Sequence, residues 1–427
     1  MMKRQWLVLF ALVVLFTSMG FSQDDWLDYV GYIREVNAAP HLGSTRSFAM
    51  AGASTATDEG LDALFSNPGG IGFAQQSQLA FGGRMILLGR GDLEDDYYSD
   101  QDRDVTYGFG LAPKITNIGA SVPIVFAANS PTKFFGAVGY RSFYDWNRKE
   151  KYESKYEDSN YERVMTTKGI INQLSIGGGL LFSEKYSVGL SIGIPMLSAA
   201  RADIEEEQSS DLGRDKATTE IEYDIKGGTS FQVGVMAKFT PELTVGFSFL
   251  SAHQFELEDG KAKWKSEGET ETEDLNDEKY EIPGMFSIGA SYRVSPLALV
   301  TAEYQNRPFE DIEIDGDQLG DEPYNVESGS AIRFGIEGGS DVLIRAGYGF
   351  ERTLFTDTDD DPVNMHMLTG GLGFKSNNAL IDIAAIYRFT KFEGYSSTEG
   401  NYDFVFNEFK IYATLKYNLD FVFSLAQ

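Results

Sequence analysis

The chain has 427 residues, with 64 Asp and Glu against 36 Lys and Arg, a formal charge of −28, and no cysteine. So large a negative excess argues against nucleic-acid binding, which needs clustered basic residues to neutralise phosphates. The missing cysteines exclude disulfides, thiolate nucleophiles and sulfur-ligated metals, and three histidines (His41, His253, His366) leave little for acid–base catalysis, so no enzyme, cofactor or metal centre is expected.

The N-terminus reads as an export address. Lys3 and Arg4 precede an apolar run at 6–16, and small residues follow at 17–23. This is the order of a secretory signal peptide, and the apolar run falls short of the ~20 residues a spanning helix needs. Gly20 and Ser22 suit a cleavage site before Gln23, which makes residues 1–22 the leader. No cysteine is present to carry a lipid anchor.

Residues 23–76 form a second region. Trp26, Leu27, Val30 and Ile33 fall at helical spacing. The stretch HLGSTRSFAMAGASTATDEGLDALFSNPGGIGF that follows is dense in Gly, Ala and Ser, too small-sided for a core of its own. Lying ahead of a barrel, it reads as a plug folded into the lumen.

From residue 77 to 427 the pattern is alternation. Tyr186, Val188, Leu190, Ile192 and Ile194 share one face, and Ser187, Gly189, Ser191 and Gly193 share the other. Phe231, Val233, Val235, Ala237 and Phe239 repeat the pattern, as do Phe409, Ile411, Ala413, Leu415, Tyr417, Leu419 and Phe421. Period two over such lengths means long β-strands. Strands are expected near 77–88, 113–126, 132–148, 168–182, 185–198, 217–239, 242–258, 280–294, 297–310, 329–338, 341–353, 364–375, 379–393 and 407–421. Short turns at 127–131, 183–184, 240–241, 295–296, 339–340 and 376–378 alternate with long polar connections at 89–112, 149–167, 199–216, 259–279, 311–328, 354–363 and 394–406. Alternating turn length and an even count of about 14 strands are the marks of an outer-membrane β-barrel.

The acidic residues collect in the long connections, as in Asp92–Asp104, Glu267–Glu278 and Asp357–Asp361. TDTDDD at 356–361 lacks the glycine turn and closing Glu of a calcium loop, so these carboxylates read as solvated surface. GFGLAP at 108–113 and GYGFER at 347–352 precede no helix, which removes them as nucleotide loops. Arg345, Glu351, Asp382, Arg388, Lys410, Lys416 and Asp420 fall on lumenal positions, where charges need partners and are expected to pin the plug.

LGSTRSFAMAGASTATDEGLDALFSNPGGI resembles the N-terminal signature of the FadL/TodX-type outer-membrane transporters of hydrophobic compounds. The corresponding positions are Gly43, Arg46, Met50, Gly52, Ala53, Asp58, Ala63, Asn67 and Pro68, with Gly69 where the family usually has alanine. IPGMFSIGASYRVSPLALVTAEYQ, GSDVLIRAGYGF and HMLTGGLGFKSNNALIDIAAIYRF extend the likeness over most of the mature chain. The resemblance implies a barrel of about 14 strands with a lumenal plug, acting in passive uptake of long-chain fatty acids or aromatic hydrocarbons. It implies a greasy site beside the plug, for which Phe48, Met50, Leu64, Phe65, Ile71 and Phe73 are the candidates. It also implies an inward bend of the third strand, where Gly136 and Gly139 are the residues able to relax the backbone. The expected setting is the outer membrane of a Gram-negative cell. The expected partners are a hydrophobic small molecule or lipid and the surrounding membrane lipid and lipopolysaccharide, with the chain a monomer. A scaffold or shuttle for secreted proteins, and a general porin, are the alternatives.

N-terminal sequencing of the protein extracted from membranes is expected to begin at Gln23; retention of Lys3 would refute cleavage.

Overall fold

The computed structural model describes residues 43–94, 104–108, 114–125, 132–145, 148–156, 159–196, 198–210, 213–266, 269–315, 328–356, 362–396, 400–419 and 423–424. The leader, most of the lead-in, Asp357–Asp361 and Asp420 lie outside the described residues.

Fourteen strands form the wall. They are β1 (Ser77–Glu94), β2 (Lys114–Val125), β3 (Thr132–Asp145), β4 (Ser159–Phe182), β5 (Tyr186–Pro195), β6 (Ser230–Lys238) and β7 (Leu243–Leu250). They continue as β8 (Met285–Ser295), β9 (Ala298–Arg307), β10 (Gly329–Gly339), β11 (Val342–Thr356), β12 (Pro362–Lys375), β13 (Ala379–Ser396) and β14 (Gly400–Leu419). Each pairs antiparallel with the next, and β1 pairs back onto β14 from Ser77↔Leu419 to Glu94↔Asp403. Closure leaves no open edge in the wall, the condition under which strands can cross a membrane.

Among the described residues the short turns at 183–184, 240–241, 295–296, 339–340 and 376–378 fall where the sequence places them, and 127–131 lies outside the described residues. Ser183 and Glu184 both take positive φ (51° and 57°), and the amide of Lys185 donates to the Phe182 carbonyl at 3.1 Å. That is a two-residue turn whose twist matches the flanking strands. Thr240 closes the next turn, its hydroxyl accepting from the amides of Glu242 and Leu243.

Two expectations need correction. The stretches 217–239, 242–258 and 280–294 are not single strands; each divides near a glycine or Ser-Ala step into a wall strand and an outer one. The long connections at 149–167, 199–216 and 259–279 are not irregular loops either. They are largely strand, namely Arg148–Tyr156, the first part of β4, Ser198–Ser210, Gly213–Gly227, His253–Ser266 and Glu269–Asp274. These hairpins extend the sheet beyond the closed ring, Gly213–Gly227 pairing with both Ser198–Ser210 and His253–Ser266. Most of their residues are polar, so no sustained apolar alternation marks them, and polar cross-strand pairs take its place. Arg201 contacts Glu220 and Glu222 at 2.7 Å each, and Lys216 lies 3.3 Å from Glu205.

Within the wall the alternation is a map of solvent. Tyr186, Val188, Leu190 and Ile194 stand exposed on the outer face, and Ser187, Gly189 and Ser191 are buried on the inner one. Phe231, Val233 and Val235 of β6, Phe334 and Ile336 of β10, and Leu415 and Tyr417 of β14 continue the same outward belt. A continuous belt of large apolar side chains around a soluble protein would drive aggregation; around a closed barrel it is the lipid-facing surface. No described helix is long and apolar enough to cross a membrane.

Leu190→Arg is expected to destabilise the barrel by ~2–4 kcal/mol, read by denaturant titration in lipid vesicles. An unchanged midpoint would mean that this face does not meet hydrocarbon.

Candidate functional site

Residues 43–76 fold into short helical pieces with almost every side chain buried. Ser44 starts the first, Thr45–Phe48, with a capping box. Its hydroxyl accepts from the Ser47 amide at 3.2 Å, and the Ser47 hydroxyl accepts from the Ser44 amide at 2.8 Å. Asn67 caps the 3-10 helix Pro68–Phe73 by accepting from the Gly69 amide at 3.1 Å. The proline at the next position presets the first turn and holds Asn67 extended. Gly43 and Gly52 take φ of +139° and +84°, values that favour glycine. Asp58 ties the pieces together, accepting from the Ser44 hydroxyl at 2.9 Å and the Ser66 hydroxyl at 3.1 Å. Burial, with Asp62 beside it, raises the Asp58 carboxyl above the ordinary carboxylate range.

The segment meets the inner face of the wall backbone to backbone. A Cβ on Gly347 would lie 2.5 Å from the Ala51 nitrogen, and one on Gly139 would lie 2.6 Å from Phe65 Cζ. Gly189, Gly234, Gly246, Gly335 and Gly371 stand in the same relation to Pro68, Asn67, Thr55, Met50 and Ala49. Polar groups complete the contact. Glu303 accepts from the amides of Ser54 and Thr55 through one oxygen (2.8 and 2.7 Å) and holds Arg333 with the other at 2.9 Å. Asn67 Nδ2 donates to the carbonyls of Thr55 and Val235 at 2.6 and 3.1 Å.

Ion pairs cross the same boundary. Arg46 holds Glu337 through two bonds of 2.8 and 2.7 Å and donates to the Thr57 carbonyl at 2.7 Å. Lys416 reaches Asp62 at 2.5 Å and Asp382 at 3.2 Å, and Arg345 binds both Asp382 and Glu337 at 2.7 Å. Higher in the lumen Glu351 pairs with Arg307 and Arg333, and Lys410 with Glu408.

The six apolar candidates do not converge on one point. Phe48 and Phe65 share a small cavity with Gly43, Thr45, Thr116, Asn117, Arg141, Ser142 and Tyr412, and the Phe48 and Tyr412 rings lie 4.7 Å apart. Leu64, Phe65 and Ile71 pack with Leu61 and Ala63 against Ala80, Phe135 and Ala137 of β1 and β3. Phe73 meets Leu181 and Met236, with Lys238 Nζ 4.2 Å from its ring centroid. Met50 is fully buried against Gly335.

Composition gave no sign of Tyr412, Arg141 or Asn117 at this cavity. For Arg141 the phase did, since Phe135, Ala137, Gly139, Arg141 and Phe143 alternate along β3 as buried positions. Gly136 and Gly139 keep unbroken register with both neighbours, and the irregularity in β3 lies between Ser142 and Tyr144.

Toward the hairpin end a second apolar cluster joins Phe143, Tyr144, Ile171, Ile225, Leu250, Phe255, Ile282 and Met285. Its histidine is engaged on both nitrogens: Tyr144 Oη lies 2.8 Å from His253 Nε2, and Nδ1 is 3.2 Å from the Ser251 carbonyl. His366 bonds Tyr348 at 2.7 Å. Each ring is thus held by a tyrosine rather than by a serine or threonine hydroxyl. Among the described residues no three carboxylates or histidines converge on a metal-sized site.

No protein-family model matches the chain, and no curated protein matches it in sequence. Solved structures do. The P. putida toluene transporter TodX aligns at 15% identity with a TM-score of 0.60, over 88% of this chain and 98% of its own. The CymD monoaromatic hydrocarbon channel aligns at 14% with 0.55, over 89% and 98%, and a Pseudomonas aeruginosa FadL homologue at 12% with 0.56, over 88% and 98%. The chain therefore has the FadL/TodX-type fold, a multi-pass β-barrel of the outer-membrane kind.

Lys416→Met leaves Asp62 buried without its cation and is expected to cost about 3–5 kcal/mol. Adding Asp62→Asn is expected to recover part of that loss, read by denaturant titration in detergent.

Proposed function

We propose that the chain is an outer-membrane channel for passive uptake of hydrophobic molecules, long-chain fatty acids or aromatic hydrocarbons, with residues 23–76 as its lead-in and plug. The observation that carries the reading is the glycine-lined inner wall packed against residues 49–69, with a small cavity that Phe48, Phe65 and Tyr412 help line left between the segment and the wall. An open aqueous pore would not need glycine at those positions, which disfavours a general porin. The fold shared with a toluene transporter, a monoaromatic hydrocarbon channel and a FadL homologue supports the same reading.

In this proposal cargo passes from the aromatic cluster at the hairpin end to the cavity at Phe48 and Phe65, driven by apolar burial. In the proposal it leaves sideways through β3, where the register slips between Ser142 and Tyr144. Export by the leader delivers a monomeric barrel to the outer membrane of a Gram-negative cell, its hairpins among lipopolysaccharide.

Deleting residues 42–73 should turn a closed barrel into a leaky one, because a ring of fourteen strands is too wide for its own side chains to fill. Phe48→Ala or Phe65→Ala should instead weaken uptake by about tenfold or more without opening a conductance. Planar-bilayer conductance and uptake of a labelled hydrophobe, measured on the same variants, decide the matter. High conductance in the intact protein supports the porin, and low conductance with no hydrophobe uptake supports a secretion scaffold.

A further inference from the structure

We propose that Asp58 is a proton-operated latch on the lumenal segment: with its carboxyl protonated the segment stays seated on the wall, and with it ionised the seat loosens. This rests on the plug reading above and is independent of which cargo passes.

The ion pairs between segment and wall form one unbroken chain. Arg46 of the segment holds Glu337 of β10, Glu337 also binds Arg345 of β11, and Arg345 binds Asp382 of β13, each at 2.7 Å. Lys416 of β14 follows, 3.2 Å from Asp382 and 2.5 Å from Asp62, which again belongs to the segment. Three cations alternate with three carboxylates, so the chain is neutral and fastens the segment at both ends. Asp58 is a fourth carboxylate beside it and is only 1% exposed. Among the described residues its side-chain hydrogen bonds come from hydroxyls: Ser44 at 2.9 Å, Ser66 at 3.1 Å and Ser47 at 3.4 Å.

The charged groups that face it are few. Asp62 is the nearby anion, and the nearby cations Arg46 and Lys416 are both engaged by other carboxylates. Glu59, the next residue, pairs with Lys238 at 2.7 Å. The helix Pro68–Phe73, whose Gly70 lies against the Asp58 carbonyl, has no titratable residue. Burial first, then the charge of Asp62, raises the Asp58 carboxyl to about 7.

Hydroxyl partners suit either protonation state, because a hydroxyl accepts as well as donates. When Asp58 takes a proton, its O–H donates to the Ser66 oxygen, and the Ser66 hydrogen turns to the Asp62 carbonyl at 3.5 Å. When Asp58 ionises, two buried carboxylates compete for Lys416, and the end of the chain that fastens Asp62 weakens. A carboxyl whose value is higher seated than exposed favours the seated form while protonated. That contribution is complete below the ordinary value of 3.8 and is lost as pH rises through about 7.

The test records planar-bilayer conductance of the full-length protein from about pH 5 to about pH 8, with infrared difference spectra of the protonated carboxyl stretch over the same range. Openings are expected to become about tenfold or more frequent, levelling off above about pH 7, as one carboxyl signal is lost. Asp58→Asn should keep the protein closed throughout and remove that signal. Asp62→Asn takes away the like charge and frees Lys416, and should move both transitions to lower pH. Low conductance at every pH, no carboxyl signal from Asp58, or a rise that Asp58→Asn leaves in place would each overturn the latch. High conductance at every pH, in the unaltered protein and in Asp58→Asn alike, would remove the plug reading itself. If Asp58→Asn loses the heat-modifiable folded band, Asp62→Asn decides: transitions shifted to lower pH support the latch, and unmoved ones overturn it.

Discussion

A closed ring of fourteen strands encloses more cross-section than its own side chains can fill, and much else in this molecule answers that constraint. The answer is an inner face stripped of side chains. At Gly189, Gly246 and Gly335 any Cβ would collide with the segment 50–68, so the two backbones approach as closely as atoms allow. Backbone brought that close carries its amides and carbonyls into a dry interior, where each needs a partner. Glu303 supplies two acceptor bonds to Ser54 and Thr55, Thr369 bonds both Ala49 and Ala51, and Gln232 and Ser248 donate to the Ser66 carbonyl. Serine, threonine and glutamine on the lumenal face are therefore fitted to particular backbone atoms of the segment.

The same constraint explains which parts of the fold were legible. In β5 and β6 one face is lipid and the other small or polar, so the contrast between alternate residues is as large as sequence allows. The hairpins built from Ser198–Ser210, Gly213–Gly227 and His253–Ser266 have the same backbone and none of the contrast. Their register is held by pairs such as Arg201 with Glu222, which in sequence look like any charged loop. Turn chemistry was readable at the short connections, including 376–378 before β13. The breaks inside 217–239 and 242–258 were not, because strand character resumes within two residues.

The site was legible in part for a similar reason. Phe48 and Phe65 stand out as large apolar residues in a Gly/Ala/Ser-rich stretch, and both reach the cavity. Leu64, Ile71 and Phe73 stand out equally, yet they pack against Ala80, Phe135, Leu181 and Met236 as ordinary core. Which apolar side chains are core and which line space depends on the wall opposite. That wall comes from β2, β3 and β14, about 50 to 365 residues away in sequence, a separation no local periodicity spans.

Charge in the lumen divides into two kinds of work. Arg46–Glu337, Lys416–Asp62 and Glu303 with its two amides all cross from segment to wall, and each is saturated by its partner. Saturated pairs fix geometry and offer nothing to a passing molecule. Arg141 differs because its partners are neutral: it donates to the Phe65 carbonyl of the segment and to Gln173 of the wall, and lies over the Phe65 ring. One residue therefore touches the cavity, the segment and the aromatic cluster through Phe143.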